Sequence, residues 1–484
     1  MNFISYSYAI LFTFVFTSRL TFGRYKTEAS FVILLILVSG LFYAWHVPSF
    51  LLILMTSALV DYFSGLYLGR DPKLIKTADG KLVESTRARK LVLAGSVCSN
   101  LGLLFYFKYT NFALDGVRHL LQSLGVSAEI PHLNLLLPMG ISFYTFASLS
   151  YTIDVYRREI KPVNEFWKFF LFICFFPHLV AGPIVRASMF LPQMQRKRKL
   201  RLCVFNEGMF LIIRGLFLKV VCANHLAVWV GVYWNQGYTP GGNSGLLCLV
   251  TLMFACQIFC DFEGYSSIAQ GTAYLLGYQL PLNFNNPYIS CSFKNFWERW
   301  HITLSQWLRD YLYIPLGGNR GARWRTYVNL LVVMILGGLW HGANWTFVCW
   351  GTLHGVALAF EKWLGFDQLG KTQGRSVLKL SWFFVVQTTV LVAWIFFRCD
   401  TLSGGKQFLS NIVACHFSPL PLQLLTSACL GMAPVMIMHL RGYLVQRGLL
   451  AESGANEKAV LAGIMLYAVL TCYGEDNAFI YFQF

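Results

Sequence analysis

One histidine lies between two long apolar runs of the sequence. His341 occurs in GGLWHGANW, residues 337–345, where its neighbours are small or aromatic. An ionisable side chain in a membrane-spanning segment is costly, so it is a functional hypothesis by default. A neutral imidazole is well suited to take a proton from a hydroxyl near neutral pH. This pattern favours His341 as a catalytic base, and a buried histidine hydrogen-bonded between helices is the alternative.

The residues around His341 suggest supporting roles. Asn344, three positions further on, could orient the imidazole or donate a hydrogen bond to an oxyanion. Trp340 directly precedes the histidine and is a candidate for the wall of the same site. Gly338 and Gly342 lack a Cβ atom, so they allow close approach by another helix or by a ligand.

A second histidine occurs in a segment that is polar, aromatic and basic together, residues 283–326. Apolar or aromatic residues recur there at three- and four-residue spacing, which predicts one face of an amphipathic helix. These residues are Trp297, Trp300, His301, Leu304, Leu308 and Tyr311. The helix would lie at the membrane interface or re-enter the protein. Irregular backbone at membrane depth is tolerated only where protein or a water-filled cavity covers it, so we expect a cavity beside this segment.

Within this segment His301 is a second candidate for catalysis, and Trp300 a candidate for the wall of the site. The alternative for His301 is an interfacial histidine that faces lipid headgroups. Arg309 and Asp310 could pair with each other or with the histidines. A third candidate, His178, lies in FPHLVAGPIVR, residues 176–186, whose two prolines predict a broken helix. Breakage without any chemistry is equally open for His178.

The composition is that of a membrane protein. Of the 484 residues, 56% are hydrophobic and 13% are charged, whereas soluble domains carry about 25% charged residues. The net charge of +17 comes from short basic runs between apolar segments, which suits cytoplasmic loops and anionic lipids better than nucleic acid. We predict an all-α polytopic protein with eleven to thirteen spanning helices and additional re-entrant or amphipathic segments.

The basic residues also predict an orientation. Arg24 and Lys26 follow the first apolar segment, the next turn, residues 46–48, has no Lys or Arg, and residues 70–90 are again basic. By the positive-inside rule the first and third loops are cytoplasmic and the N-terminus is extracytoplasmic. The basic run at residues 196–199 is predicted to be cytoplasmic too, or to help bind an anionic donor. The first apolar segment lacks the pattern of a cleaved signal and is predicted to be retained as the first membrane helix.

Other kinds of site lack their usual sequence marks. The 13 cysteines form no CxxC pair, and no HExxH motif occurs, so we predict neither a bound metal nor a disulfide framework. No convincing nucleophile elbow, P-loop or dinucleotide-binding fingerprint is present. We therefore predict no bound cofactor.

Several long motifs resemble those of a known family. WERWHITLSQWLRDYLYIPLGGNR, residues 297–320, and GGLWHGANWTFVCWGTLHG, residues 337–355, are similar to the two histidine motifs of membrane-bound O-acyltransferases, the MBOAT family. Residues 176–186, 261–288 and 477–484 also match, the last resembling the bacterial alginate O-acetylation branch. The resemblance covers nearly the whole chain, with its signature region at about 261–355. Glu263 departs from it, because the family has a small residue there.

The resemblance implies a fold and an activity. It implies a single domain over residues 1–484, a ring of tilted helices around a central tunnel. In that family a cytoplasmic thioester, here acetyl-coenzyme A, supplies the acyl group, and in the alginate branch a periplasmic partner completes transfer to the polysaccharide. His341 matches the catalytic histidine and His301 the second conserved histidine. His341 could act as base or as transient acyl carrier.

The acceptor and the class of activity stay open at this point. An alginate-like polysaccharide is the first expectation, and cellulose, peptidoglycan and teichoic acid are alternatives, the last with D-alanine from a carrier protein. Two other classes of protein would also use polar residues within a membrane. One is a transporter of an intact lipid or acylated substrate, and the other is a scaffold in an export complex.

Overall fold

The computed structural model describes residues 3–22, 28–70, 74–76, 82–84, 86–127, 129–195, 201–371 and 376–472. Nearly all of its regular structure is helical, as the composition predicts. Contacts within the chain group it into two compact units, Met1–Gly208 with Ala269–Pro281, and Met209–Ile268 with Leu282–Phe484. The expectation of one domain stays a prediction. Several residues used to predict orientation or family fall outside the described residues, namely Arg24, Lys26, 196–199 and 477–484.

The first unit contains nine helices among its described residues and one small hairpin. The helices are α1 Tyr6–Phe22, α2 Glu28–Ala44, α3 Ser49–Leu68, α4 Thr86–Leu104, α5 Thr110–Ser123, α6 Ile141–Tyr156, α7 Phe166–Cys174, α8 Phe176–Leu179 and α9 Ala187–Phe190. Strands β1 (Leu74–Lys76) and β2 (Leu82–Glu84) pair antiparallel, with Ile75 opposite Val83. The helix is interrupted at Phe175, between α7 and α8 and two residues before Pro177. This confirms the broken helix predicted around His178.

The remaining helices lie mainly or wholly in the second unit. They are α10 Leu202–Leu216, α11 Asn224–Tyr233, α12 Ser244–Leu275, α13 Phe293–Trp297, α14 Ile302–Leu308, α15 Arg323–His341, α16 Trp345–Leu364, α17 Ser376–Arg398, α18 Leu402–Val413, α19 Leu422–Gln446 and α20 Ala455–Thr471. The first residues of α10 and the last residues of α12 belong to the first unit.

Six helical segments in the described part of the chain are long and apolar enough to cross a membrane. They are Ser49–Leu68, Arg87–Ser123, Leu202–Tyr238, Ser244–Leu275, Val377–Arg398 and Leu422–Gln446. This confirms a polytopic helical membrane protein. The predicted number of eleven to thirteen included segments that are shorter, such as the 17-residue helices α1 and α2. By length and composition alone, those segments do not qualify as full spans.

Two buried polar side chains in the first unit, Asp61 and Arg89, form hydrogen bonds within the protein. The carboxylate of Asp61 in α3 is fully buried and accepts hydrogen bonds from Ser96 Oγ at 2.7 Å and Asn100 Nδ2 at 2.9 Å. Arg89 donates to the carbonyl of Tyr156 at 2.8 Å, near the C-terminal end of α6. Such bonds replace the water that the hydrocarbon region cannot supply.

In the second unit, two ion pairs connect α12 to preceding helical segments. One joins it to α10, and the other joins it to the π-helical turn Phe217–Ala223, which follows α10. Lys219 Nζ lies 2.6 Å from Asp261 Oδ1, with both side chains nearly fully buried. Arg214 Nη2 lies 2.6 Å from Glu263 Oε1. Glu263, where the sequence departs from the family that it resembles, is therefore paired with an arginine on a neighbouring helix. Buried charges are expected to be paired in this way.

Candidate active site

His341 is positioned by a tight pair of helices. It is the last residue of α15, and the extended backbone of Gly342 ends that helix. Asn344 then caps α16, because its Oδ1 accepts a hydrogen bond from the backbone of Thr346 at 3.0 Å. The Nδ2 group of Asn344 donates to the carbonyl of Asp400 at 2.9 Å. Asn344 therefore organises the turn after His341, and these bonds do not give it the orienting or oxyanion role that the sequence suggested.

The glycines around His341 serve contact between α15 and α16. A Cβ atom on Gly338 would lie under 3.0 Å from the carbonyl oxygen of Phe347, and one on Gly351 equally close to that of Met334. A Cβ on Gly342 would meet the ring of Phe347. Of the two expectations for these glycines, helix approach and ligand approach, the structure shows the first.

Aromatic rings surround the imidazole of His341. The centroids of Trp340, Trp350 and Phe397 lie 4.9, 5.1 and 5.3 Å from that of the imidazole, each ring steeply inclined to it. The side chain is buried, with 4% of the residue exposed. Such a site is of low dielectric and favours a neutral imidazole. Trp350 was not identified from the sequence, where it reads as one more aromatic residue of an apolar helix.

His301 lies in the same aromatic cluster. Its ring packs at 4.6 Å from Phe262 and at 6.0 Å from Trp340, measured between centroids. Its Nδ1 lies 3.0 Å from Oδ1 of Asn283. Burial lowers the pKa of His301 to about 3, so the ring is neutral at physiological pH. The structure thus places both predicted histidines around one tryptophan, Trp340.

The predicted continuous amphipathic helix over this segment is wrong. Helix α13 ends at Trp297 and α14 begins at Ile302. Between them His301 has φ 40° and ψ 56°, the left-handed region, which cannot continue a right-handed helix. The predicted apolar face is nevertheless largely inside the protein, since Trp297, Trp300, His301, Leu304 and Leu308 are all buried.

Trp300 is part of the core of this cluster. It is 1% exposed and packs against Phe284 at 5.0 Å and Trp394 at 4.8 Å between ring centroids. Trp394 in turn packs against Phe397 at 5.3 Å, and Phe397 contacts His341. Trp300 is therefore connected to the catalytic candidate through two rings.

The cavity that we expected beside residues 283–326 is present. It has a volume of about 400 Å³, within the range of small-molecule sites. Its lining combines apolar side chains with charged side chains of both signs. The lining includes Trp297, Leu308, Val333, Met334 and Leu358, and also Lys294, Glu298, Arg309, Glu361, Lys362 and Asp367.

Neither His341 nor His301 is among the residues that line this cavity. Trp297 forms part of its wall and packs on Trp350 at 5.7 Å between centroids, and Trp350 packs on His341. Two aromatic rings therefore separate the cavity from the imidazole of His341. The ring of His354 contacts both tryptophans, at 5.1 Å from Trp297 and 4.9 Å from Trp350 between centroids.

Arg309 and Asp310 pair with each other, which was one of the two predicted pairings. Arg309 Nε lies 2.7 Å from Asp310 Oδ1, and this bond raises the pKa of the guanidinium, which stays charged at the cavity. His178 lies in the first unit, where its ring packs against Phe175 and Phe190 at 5.6 and 5.7 Å between centroids. That aromatic packing gives His178 a structural place in its unit.

No group of metal-binding side chains is found in the described part of the chain. The residues at the site, imidazole and indole rings around two histidines, suit proton transfer to and from a bound hydroxyl rather than metal ligation.

Comparison with known proteins identifies the family. Residues 141–399 match MBOAT, the membrane-bound O-acyltransferase family, and this range contains both histidines. The chain belongs to this family. It is 40% identical over 370 residues to the probable alginate O-acetylase of Azotobacter vinelandii, covering 76% of this chain and 70% of that protein.

Two further relatives differ in the acceptor that they are named for. A peptidoglycan O-acetyltransferase of Helicobacter pylori is 32% identical over 79% of this chain and 75% of its own length. A teichoic acid D-alanyltransferase of Streptococcus thermophilus is 31% identical over 47% of this chain and 57% of its own length. The chain is therefore a membrane-bound acyltransferase, and its relatives support an O-acetyltransferase.

Proposed function

We propose that this acyltransferase takes an acetyl group from a cytoplasmic thioester, acetyl-coenzyme A, for O-acetylation of an exported polysaccharide. The observation that carries this proposal is that Trp340 packs against both His301 and His341, at 6.0 and 4.9 Å between ring centroids. Two buried histidines packed against one indole are an arrangement suited to acid–base chemistry on a hydroxyl. The alginate and peptidoglycan O-acetylating relatives support acetyl as the acyl group.

The cavity in the second unit is our proposed donor site. Lys294, Lys362 and Arg309 line this cavity together with Glu298, Glu361 and Asp367. The three cationic groups would pair with the phosphates of a coenzyme. The apolar lining residues, which include Trp297 and Met334, would receive the acyl end. Trp297 and Trp350 then have to turn aside for the thioester to reach His341.

The chemical step is acyl transfer with His341 as general base. The imidazole removes the proton from the attacking hydroxyl while the oxygen forms a bond to the thioester carbonyl carbon. The carbon–sulfur bond then breaks, and the thiolate leaves with the proton that the imidazole has taken up. Alternatively His341 carries the acyl group itself before passing it on. Backbone N–H groups at the site would stabilise the oxyanion.

The acceptor that we propose is an alginate-like polysaccharide, reached through an extracytoplasmic partner that accepts the acetyl group. Peptidoglycan, cellulose and teichoic acid are the other acceptors to test. A relative named as a teichoic acid D-alanyltransferase supports including teichoic acid. We further propose that the protein lies in the bacterial inner membrane with its N-terminus outside, in line with the alternation of basic loops.

The experiment uses the purified full-length protein in vesicles, with acetyl-coenzyme A on one side and an oligosaccharide acceptor on the other. Mass spectrometry of both compartments should find free coenzyme on the donor side and acetylated acceptor beyond it. His341→Ala should reduce transfer by about 10²–10⁴-fold. His416→Ala, at an exposed histidine of the second unit, is the matched control and should keep wild-type transfer. An unaltered substrate that crosses the membrane would establish a transporter instead.

A further inference from the structure

Asn283 lies at the centre of a buried hydrogen-bond network beside His301. Asn283, Ser266 and His301 are each fully buried. The Oδ1 atom of Asn283 lies 3.0 Å from His301 Nδ1 and accepts from Thr303 Oγ1 at 2.9 Å. Its Nδ2 group donates to Ser266 Oγ at 3.1 Å. All four polar side chains therefore meet at one amide.

This arrangement determines which nitrogen of His301 carries the proton. An amide oxygen can only accept, so the His301 nitrogen facing it has to be an N–H donor. In a neutral imidazole the other nitrogen is then an acceptor with a free lone pair. That nitrogen, Nε2, is buried and has no hydrogen-bond partner among the described residues. A buried polar atom left in this way calls for a ligand or water partner.

The backbone of Asn283 also holds His301 in its unusual conformation. The amide of Ile302 donates to the carbonyl of Asn283 at 2.9 Å, directly after the left-handed residue His301. A left-handed conformation is costly for a residue other than glycine and persists only where surrounding structure imposes it. Asn283 thus fixes the direction of the imidazole through its main chain as well as its side chain.

We propose that Asn283 is a positioning residue that holds His301 as the Nδ1–H tautomer and so presents Nε2 as a hydrogen-bond acceptor towards the acceptor substrate. The inference rests on the proposed function and deepens it by giving the two histidines different parts. A neutral Nδ1–H imidazole cannot donate from Nε2, so His301 does not stabilise an oxyanion. It orients the acceptor substrate by accepting a hydrogen bond from a second donor group of that molecule, because the single proton of the attacking hydroxyl goes to His341. The rings packed against His301, namely Phe262, Phe284 and Trp340, are uncharged, and Trp340 packs in turn against the titratable His341.

The kinetic test compares three substitutions in the full-length protein. Asn283→Ala removes the acceptor and should lower kcat by about 10–100-fold with little change in KM for the thioester, the loss typical when the partner that orients a ligating histidine is removed. Asn283→Asp keeps an acceptor oxygen towards Nδ1 and should recover several-fold of that loss. Asn285→Ala removes an exposed asparagine two positions further along the chain, outside this network, so it is the matched control and should stay near wild-type kcat.

The direct test is the protonation state of the ring. In protein labelled with ¹⁵N-histidine, assigned through the spectrum of His301→Gln, magnetic resonance should find His301 with a protonated Nδ1 and an unprotonated Nε2. The Asn283→Ala variant should lose this preference. A native spectrum with Nε2 protonated would overturn the inference, whatever the activities, and so would equal kcat values for Asn283→Ala and the wild type.

These outcomes separate the inference from the proposed function. If His301→Gln and His341→Ala are inactive while Asn283→Ala is fully active, the acyltransfer mechanism stands and the positioning role is lost. If His341→Ala is active, the proposed mechanism is lost, while the tautomer measurement still decides the state of His301. Thermal unfolding of each variant identifies any that fail to fold, and for those the Asn283→Asp protein supplies the decisive comparison.

Discussion

The indole ring of Trp340 packs against the imidazole of His301 at 6.0 Å between centroids, with the two planes inclined by 62°. The same indole lies next to His341. Trp340 is therefore the side chain through which the two histidine motifs form one site. Packing against one shared aromatic ring can set the distance between the two histidines. A direct hydrogen bond between the imidazoles is not needed for this.

Replacing Trp340 should uncouple the two histidines. We expect Trp340→Ala to lower kcat by about 10–100-fold, since small misplacements at an active site cost about that much, and to destabilise the protein by about 3–5 kcal/mol. Trp340→Phe keeps a ring in the same place and should retain more activity. Trp345→Ala, at a tryptophan that is 60% exposed, is the control. Equal turnover of Trp340→Ala and wild type would mean that the indole has no part in positioning the histidines.

The cations at the cavity should govern donor affinity. Lys294 and Lys362 both line it, and an attraction to phosphate would be screened by salt. Lys294→Gln with Lys362→Gln should therefore raise KM for a coenzyme-bound donor about tenfold at low ionic strength, leave kcat nearly unchanged and weaken the dependence of KM on salt. Lys406→Gln, an exposed lysine of α18 outside the cavity lining, is the control. An unchanged KM in the double variant would place the donor elsewhere.

Contact between α15 and α16 should depend on glycines rather than on side-chain interdigitation. A Cβ on Gly351 would lie under 3.0 Å from the backbone oxygen of Met334, so Gly351→Ala has to push the helices apart. We expect a loss of about 1–3 kcal/mol in unfolding free energy, seen as a lower melting temperature, together with lower activity. Gly463→Ala in α20, where a Cβ would meet nothing within 4 Å, should be neutral or slightly stabilising. Similar melting temperatures for the two variants would show that α15 and α16 separate without cost.

Much of the site could be predicted because its chemistry is concentrated in short motifs. An ionisable His341 between apolar runs, and the glycines beside it, are visible in the sequence as departures from a lipid-like composition. The cavity beside residues 283–326 followed from the same reasoning, since charged and irregular backbone has to be covered by protein or water.

What could not be predicted depends on contacts between distant parts of the chain. The three-residue spacing around His301 is helical, yet a hydrogen bond from the backbone of Ile302 to Asn283 accompanies a left-handed conformation at His301. No local sequence pattern predicts that hydrogen bond. Asn344 has the chemistry of an oxyanion donor, and only the structure shows its amide capping α16. At His301 a tertiary hydrogen bond overrode local helical periodicity, and at Asn344 the amide is engaged by backbone groups.

The ion pair between Lys219 and Asp261 provides the last prediction. Both side chains are nearly fully buried, within helices of the second unit that are long and apolar enough to span a membrane. Removing one partner leaves an uncompensated buried charge, so Asp261→Asn should destabilise the protein by about 3–5 kcal/mol. Replacing both, as Lys219→Met with Asp261→Leu, should restore most of that stability, because an apolar pair has no desolvation penalty.

Thermal unfolding of Lys219→Met, Asp261→Leu and the double variant in one detergent gives the coupling energy of this pair. The exposed pair of Arg441 and Glu457 is the matched control, and Glu457→Gln should change stability by about 1 kcal/mol or less. A double variant that is as unstable as Asp261→Asn would mean that these two charged groups have a structural role beyond pairing with each other. In that case the π-helical turn at Phe217–Ala223, which contains Lys219, would be the place to look for the additional role, because such turns are frequent at functional sites.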